Sequence, residues 1–235
     1  MPKTPSDKLF RLVHTLSGSE KRYFKVFAGK AGADQNYLRV FNAIDKLKDY
    51  DEKDLIRNLN DPNLARQFPV IKNYLYRLIL RSLRNYKSEK SVNFQIKELL
   101  MNASLLMERD LLDQSQKQLD KAYRIAIEQE HFEYMAEMSH LKTSLLIKKG
   151  QDRLDGILDK LDQILTECAY YQEMLTAIEA YRGLSLRLLV LNRRSPYIRS
   201  DENRVAYEVL SKDPLLQVPP PTNSVRAALF YHQSK

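Results

Sequence analysis

Residues 91–127, SVNFQIKELLMNASLLMERDLLDQSQKQLDKAYRIAI, decide the fold class of this chain. Small and large apolar residues recur there at helical spacings on both sides of Asp110: Ala103, Leu106, Leu112, Ser115, Leu119 and Ala122. Two helix backbones approach closely only where a short side chain lies opposite a bulky one. The stretch therefore predicts two helices that pack against each other, joined by a tight turn at Asp110.

A second helical hairpin is predicted downstream, with Gly150 in its bend. Its second helix repeats the first pattern at an offset of 42 residues, placing Ile157, Leu161 and Ile164 where the first hairpin has Ser115, Leu119 and Ala122. A further helix is expected from about residue 169 to 194, with an apolar face formed by Met174, Ile178, Tyr181 and Leu188.

This pairing of small and large residues in helical hairpins resembles the tetratricopeptide repeat, most clearly over residues 91–127. The resemblance implies that antiparallel hairpins stack as a right-handed α-solenoid whose concave side binds partners. We therefore expect an all-α protein, with a basic N-terminal helical domain over residues 1–90 acting as a cap, and tetratricopeptide-like helical repeats over residues 91–235.

The last predicted helix has an apolar stripe but no stop signal before Lys235. The stripe is formed by Val225, Ala228, Leu229 and His232. We expect the repeats to continue beyond Lys235 in the native protein. An unfinished last repeat would expose an apolar face, and that face is the expected route to a dimer.

Composition limits the class of protein. The chain has only 6 glycines among 235 residues and no Asn-Gly or Asp-Gly turn, which argues against β-hairpins. Charged residues occupy the N-terminus where a signal peptide needs an apolar segment, and no apolar run is long enough for a membrane span. The single cysteine, Cys168, excludes an intramolecular disulfide. We expect a soluble, cytoplasmic protein that does not bind a membrane.

Positive charge is concentrated in the first part of the chain. Residues 1–94 contain 19 Lys and Arg against 10 Asp and Glu, a net +9, whereas residues 95–235 contain 19 against 20, a net −1. Such an asymmetry indicates two working surfaces with different partners.

Helix boundaries in the basic region are predicted from capping residues. Ser17 and Glu20 have the spacing of a capping box, and Asp51 is placed to cap a short helix. Asp61-Pro62 and Pro69 are expected to bracket a turn, so that a long helix begins at Pro69.

The helix after Pro69 carries a basic ridge. Arg77, Arg81 and Arg84 recur at i, i+4 and i+7, within about 40° of one direction, opposite an apolar stripe. With Lys72 and Lys87 nearby, this ridge could contact successive phosphates or an acidic partner, and Tyr74 could stack on a base. The alternative is an ordinary solvated helix face, in which arginine is present as a good helix former.

The concave side of the predicted repeats supplies the candidate partner-binding residues. Gln95 and Asn102 share one face of the first helix of the first hairpin, and Glu137 and Ser144 share the equivalent face in the second. We predict that these side chains contact a protein or peptide.

Sequence motifs for chemistry are missing, so no catalytic residue, cofactor or metal site is predicted. Glu133, Glu137 and His140 share a face, but the two Glu-x-x-His elements lie within thirteen residues and cannot face each other as di-iron bundles require. Cys168 has no partner histidine in its sequence neighbourhood and is predicted to be a packed thiol.

Two functional classes remain. The first is a non-enzymatic helical-repeat scaffold that mediates protein-protein or peptide interactions. The second is a nucleic-acid-associated regulator that contacts phosphates through the Arg77, Arg81 and Arg84 face.

Overall fold

The computed structural model describes residues 6–30, 35–150, 154–194, 201–220 and 224–234, and every described element is helical. This confirms the all-α prediction. The chain divides into two compact units, Met1–Gln95 and Ile96–Lys235.

The first unit is a cluster of helices around one apolar core. Its helices are α1 (Lys8–Thr15), α2 (Gly18–Lys30), α3 (Gln35–Lys46), α4 (Glu52–Leu59) and α5 (Pro62–Ser88). The core includes the fully buried Phe24, Phe41, Phe68, Leu75 and Ile79. Helix α5 contributes the largest share of these side chains and packs against each of the four preceding helices.

The predicted caps of the first unit are confirmed. The backbone amide of Ser17 donates to Glu20 Oε2 at 2.8 Å, and the amide of Glu20 donates back to Ser17 Oγ at 3.3 Å. The Asp51 carboxylate accepts from the amides of Lys53 and Asp54 at the start of α4. These bonds satisfy amides that have no partner within their own helix.

The prediction that a helix begins at Pro69 is wrong, because α5 begins at Pro62 and runs through Pro69. Asp61 caps α5 by accepting from the amides of Asn63 and Leu64, and Pro62 occupies the first turn, where no amide is needed. Pro69 lies on the exposed side of the helix, while the neighbouring Phe68 and Ile71 anchor it in the core. This burial offsets the hydrogen bond that proline cannot make.

The second unit begins within α6 (Val92–Glu108). It continues with α7 (Leu112–Glu128), a 3-10 turn over Phe132–Tyr134, α8 (Met135–Lys149), α9 (Leu154–Arg194), α10 (Asp201–Ser211), α11 (Pro214–Gln217) and α12 (Val225–Gln233). Helix α8 packs between α7 and α9, and α9 also packs against α10, α11 and α12.

The predicted small-residue contact between α6 and α7 is present. Ser115 is buried and its hydroxyl donates to the carbonyl oxygen of Ala103 at 2.7 Å, which brings the two helix backbones together. Asp110 adopts a left-handed conformation with φ of 55° in the turn, and Gly150 does so at the end of α8 with φ of 52°. Both bends therefore lie where the sequence predicts them.

Helix α9 differs from the prediction of two helices separated near Cys168, because it is one helix of 41 residues. No proline or glycine interrupts it between Leu165 and Ala169. The predicted apolar face is present beyond this point, since Met174, Ile178 and Tyr181 are buried and Leu188 is half-buried.

The predicted apolar stripe of α12 does not pack inward, since Val225 and Leu229 are exposed and the buried face contains Ala227 and Tyr231. Tyr231 packs edge-on against Tyr181 of α9, with ring centres 5.8 Å apart. The predicted stripe does not include Tyr231, whose large ring is buried in the contact with α9.

A carboxylate holds the start of α12. Glu130, in the turn after α7, accepts from Ser224 Oγ at 2.7 Å, from the amide of Val225 at 2.6 Å and from the amide of Arg226 at 3.0 Å. Arg226 in turn donates to the carbonyl oxygen of Glu130 at 2.6 Å. We call Glu130, Ser224 and Arg226 the α12 clasp.

Candidate functional site

The exposed face of α5 carries arginines at regular intervals. Arg77, Arg81 and Arg84 are all exposed, because Leu75 and Ile79 are buried and fix the opposite side of the helix in the core. Since α5 begins seven residues earlier than predicted, Arg66 joins the same face. It precedes Arg77 by eleven residues, or about three helical turns. We call Arg66, Arg77, Arg81 and Arg84 the arginine face.

Among the described residues, no acidic side chain pairs with any member of the arginine face. The Arg81 guanidinium lies over the ring of Phe27, with 5.9 Å between its Cζ and the ring centre. Arg66, Arg77 and Arg84 make no side-chain hydrogen bond or ion pair with the described part of the chain. Three of the four guanidinium groups are therefore not fixed by a hydrogen bond or ion pair to any other described residue.

Lys72 and Lys87, which the sequence grouped with this ridge, are engaged elsewhere. Lys72 points away from the arginine face, forms an ion pair with Glu52, and also contacts the hydroxyl of Tyr50 at 3.2 Å. Its side chain is only 15% exposed, so its ammonium is directed to Glu52 and Tyr50 and not to the arginine face. Lys87 lies 3.7 Å from Glu20, which neutralises part of its charge.

Tyr74 lies beside the arginine face and is partly covered. Its ring packs on that of Tyr37, with ring centres 4.3 Å apart, and 41% of the residue stays exposed. One face of the ring is thus used inside the first unit, which limits the predicted stacking on a base to the other face.

The predicted partner-binding residues of the second unit lie on α6 and α8. Asn102 and Glu137 are exposed and Ser144 is half-buried. The side chains of these three residues make no hydrogen bond or ion pair with other described residues. Gln95, at the end of the first unit, is half-buried and equally without such a bond.

The ends of α6 and α8 lie side by side. Lys148 of α8 donates to the carbonyl oxygen of Met107 at 3.2 Å and pairs with Asp110 at 3.1 Å. Ser144 precedes Lys148 by one turn, so it lies on the side of α8 that is directed toward α6. The contact joins positions about 41 residues apart, close to the predicted offset of 42.

Exposed apolar side chains accompany the predicted polar ones at the same helical spacing. Leu105 follows Asn102 by three residues and is 50% exposed, and Ile147 follows Ser144 by three residues and is 66% exposed. Met101, one turn before Leu105, is 60% exposed. We call Met101, Asn102 and Leu105 of α6, with Glu137, Ser144 and Ile147 of α8, the first-helix face.

A cluster that the sequence did not reveal joins α7, α8 and α9. The hydroxyl of Tyr123 donates to one oxygen of Glu167, and Lys142 donates to the other at 2.9 Å. The Lys142 ammonium also lies over the Tyr123 ring, 3.5 Å from its centre. These residues are 25 and 44 positions apart in sequence, so no local spacing could have predicted the contact.

Burial and hydrogen bonding shift the pKa values of the groups in this cluster. Burial and the hydrogen bond to Glu167 raise the pKa of the Tyr123 hydroxyl well above its usual value of 10. Burial raises the pKa of Glu167, but the hydrogen bonds from Tyr123 and Lys142 outweigh it and leave that pKa below its usual value. One cavity beside the cluster measures only about 10 Å³, room for about one water molecule, while Lys142 and Glu167 also line an open cavity of about 660 Å³. The contacts of the cluster connect α7, α8 and α9.

The same three residue types form a second cluster in the first unit. Tyr50 donates to Glu52, and Lys72 pairs with the same carboxylate. Burial and this hydrogen bond raise the pKa of Tyr50 well above its usual value. Each unit therefore contains one tyrosine-glutamate-lysine contact that ties helices together.

The raised pKa of Tyr123 makes the stability of the second unit sensitive to alkaline pH. An acid whose pKa is raised by folding stabilises the protein below its unfolded pKa, and this contribution is lost as pH rises above about 10. We expect the free energy of unfolding to fall less between pH 9 and 11 in Tyr123→Phe than in the wild type, in urea denaturation followed by circular dichroism. Tyr207→Phe, at an exposed position, is the control, and an equal fall in all three proteins would contradict the assignment.

The residues considered for metal binding or catalysis in the sequence make ordinary side-chain contacts in the structure. Glu133 pairs with His131 at 2.8 Å and with Arg226 at 3.6 Å. No group of three His, Cys, Asp or Glu side chains within the described ranges could hold a metal ion. Cys168 is half-buried, with its Sγ 3.9 Å from the carbonyl oxygen of Met135, as expected for a packed thiol.

No described helix is both long and apolar enough to cross a membrane. Comparison with protein-family models, with curated proteins and with solved structures found no match for this chain. The resemblance to the tetratricopeptide repeat therefore rests on the sequence pattern of residues 91–127.

Proposed function

We propose that this protein is a non-enzymatic, cytoplasmic scaffold whose second unit docks a protein or peptide on the first-helix face. In this proposal the hairpins α6-α7 and α8-α9 are degenerate tetratricopeptide-like units of a right-handed stack, and the first unit is its helical cap. The observation that carries the proposal is the exposure of Met101, Leu105 and Ile147 beside polar side chains that have no partner among the described residues.

Apolar anchors supply most of the binding energy at protein interfaces, and surrounding polar groups fix the orientation of the partner. On α6, Leu105 is such an anchor and Asn102 can donate to or accept from a peptide backbone. On α8, Ile147 and Ser144 repeat this arrangement. The matched spacing of an apolar and a polar group on two neighbouring helices suits a segment that crosses both.

The contact of Lys148 with the end of α6 supports this proposal. It holds α8 beside α6 through Met107 and Asp110 and leaves the side chains one turn earlier free to meet a partner. The occupant that fits is a segment of a partner protein with apolar side chains spaced to reach Leu105 and Ile147.

Selection from a phage-displayed library of random twelve-residue peptides tests the proposal. We expect the wild-type chain to select peptides, and we expect Leu105→Ser with Ile147→Ser to weaken their binding more than tenfold, since truncating a central anchor has effects of this size. Leu165→Ser is the matched control, because Leu165 is a leucine of the same unit with 52% exposure. Peptides that bind the double variant as tightly as the wild type would refute the proposal.

A further inference from the structure

We infer that the arginine face of α5 is a docking surface for the sugar-phosphate backbone of duplex nucleic acid. This inference goes beyond the proposed scaffold function. It concerns only the first unit and does not depend on the first-helix face.

The first argument is the length and register of the face. Arg66 and Arg84 are 18 residues apart in one uninterrupted helix, which corresponds to about 27 Å along its axis. Arg77 and Arg81 lie between them within about 40° of one direction. A nucleic-acid duplex carries one phosphate charge per ~1.7 Å of axis, so several phosphates lie within reach of a row of this length.

The second argument is that these charges are uncompensated. Arg66, Arg77 and Arg84 have no acidic partner among the described residues, and Arg81 contacts only an aromatic ring. Some other cations of the first unit are paired, such as Lys21 with Asp45 at 2.7 Å and Lys72 with Glu52, whereas exposed lysines near the α3-α4 connection are not paired with described residues. Residues 1–95 as a whole carry 19 Lys and Arg against 10 Asp and Glu, a net +9. The net positive charge therefore attracts a polyanion from solution, and the guanidinium groups of this face are available to contact it.

The third argument concerns the kind of polyanion. Protein interfaces exclude charge from their centre and place apolar or aromatic anchors there. Charge is not excluded from the arginine face, because Arg77, Arg81 and Arg84 follow one another within two helical turns, while the exposed apolar residues Val70 and Tyr74 lie between Arg66 and Arg77. Interfaces with nucleic acid are more polar and far more positive than protein interfaces, which matches this face.

Arginine contacts to phosphates position a protein without reading sequence. We therefore expect binding that depends strongly on salt and weakly on base sequence. Each neutralised phosphate contributes about 0.9 to the slope of log affinity against log salt. Four contacts predict a loss of roughly 100-fold in affinity between about 50 and 200 mM salt.

Fluorescence anisotropy with labelled duplexes of random sequence tests the inference, using the full chain with one DNA and one RNA duplex of about 20 base pairs. The variant is Arg66→Gln, Arg77→Gln, Arg84→Gln, which removes three side chains that make no hydrogen bond or ion pair with described residues and should leave the fold intact. We expect the salt slope to fall by about 2.7 in this variant. Its affinity should then change only roughly three- to fourfold over the same salt range.

The matched control removes three positive charges from the same unit but off the arginine face. Lys46, Lys48 and Lys53 are exposed near the α3-α4 connection and make no side-chain contact with described residues. We expect Lys46→Gln, Lys48→Gln, Lys53→Gln to keep most of the salt slope. An equal loss in both variants, or no binding of either duplex by the wild type at 50 mM salt, would overturn the inference.

Competition separates nucleic acid from an acidic protein partner. Unlabelled duplex should displace the labelled duplex at a lower charge concentration than polyglutamate does, because its phosphates are more densely spaced. Displacement by polyglutamate at an equal or lower charge concentration would overturn the assignment to nucleic acid.

Discussion

Ser115→Leu is expected to lower the free energy of unfolding of the second unit by about 3 kcal/mol, through overpacking of about 1–3 kcal/mol and loss of a hydrogen bond worth about 1 kcal/mol. Ser115 is only 1% exposed, and its hydroxyl reaches the carbonyl oxygen of Ala103 across the closest approach of α6 and α7. A leucine at this position must displace α6, because the buried hydroxyl already lies 2.7 Å from the carbonyl oxygen of Ala103 and a leucine side chain is much larger.

Urea denaturation of the full chain, followed by circular dichroism, measures this effect. Ser115→Ala removes the hydrogen bond but keeps the close approach, so it should cost only about 1 kcal/mol. Gln114→Leu places the same leucine at the neighbouring exposed position and should change stability by less than about 0.5 kcal/mol. A Ser115→Leu protein as stable as Ser115→Ala would show that the two helices are not held close together at this point.

Glu130→Ala is expected to release the α12 clasp and to destabilise the docked α12 by about 2 kcal/mol or more, since hydrogen bonds to a charged group are worth about 1.5–3 kcal/mol. The carboxylate accepts from Ser224 and from the first two amides of α12, which have no partner within their own helix. The negative charge also lies at the positive end of the helix dipole. Because α7, α8 and α9 keep their contacts with one another, the effect should be local undocking of α12 rather than unfolding of the whole unit.

Amide hydrogen exchange resolves this effect by segment. Protection of α12 should fall about 30-fold in Glu130→Ala, while α6 and the first unit keep their exchange rates. Glu128→Ala removes an exposed glutamate at the end of α7 that has no partner among the described residues, and it should leave exchange unchanged. Unchanged protection of α12 in Glu130→Ala would mean that packing on α9 alone holds the helix.

Local patterns explain which features the sequence could predict. The sequence correctly identified the small contact residue Ser115 and the turn residues Asp110 and Gly150. Both kinds of feature depend on residues that are close together in the sequence. The capping box at Ser17 and the cap at Asp51 follow from the same short-range chemistry. The arginines of α5 were also placed correctly on an exposed face, since 3.6-residue periodicity fixes the direction of each side chain.

Contacts between distant residues explain what the sequence could not predict. Pro69 disfavours a helix locally, but the burial of Phe68 and Ile71 outweighs that preference, and this concealed Arg66 as a member of the arginine face. The cluster of Tyr123, Lys142 and Glu167 and the α12 clasp join positions up to 96 residues apart. A single sequence carries no local signal for such pairings, because each residue would be equally acceptable on a solvated face.

The packing of α12 on α9 also determines the order in which a growing chain can fold. Tyr181 becomes part of α9 about fifty residues before its partner Tyr231 is synthesised. Synthesis proceeds at about 5–20 residues per second, so roughly 3 to 10 s pass before α12 is made. During this time the apolar face of α9 that contains Ile178 and Tyr181 stays exposed. Helices α1 and α2 of the first unit wait in the same way for α5, and Tyr123 of α7 waits for Glu167 of α9. The second half of α9 is thus one of the apolar segments that stay exposed on the ribosome until a later helix is made.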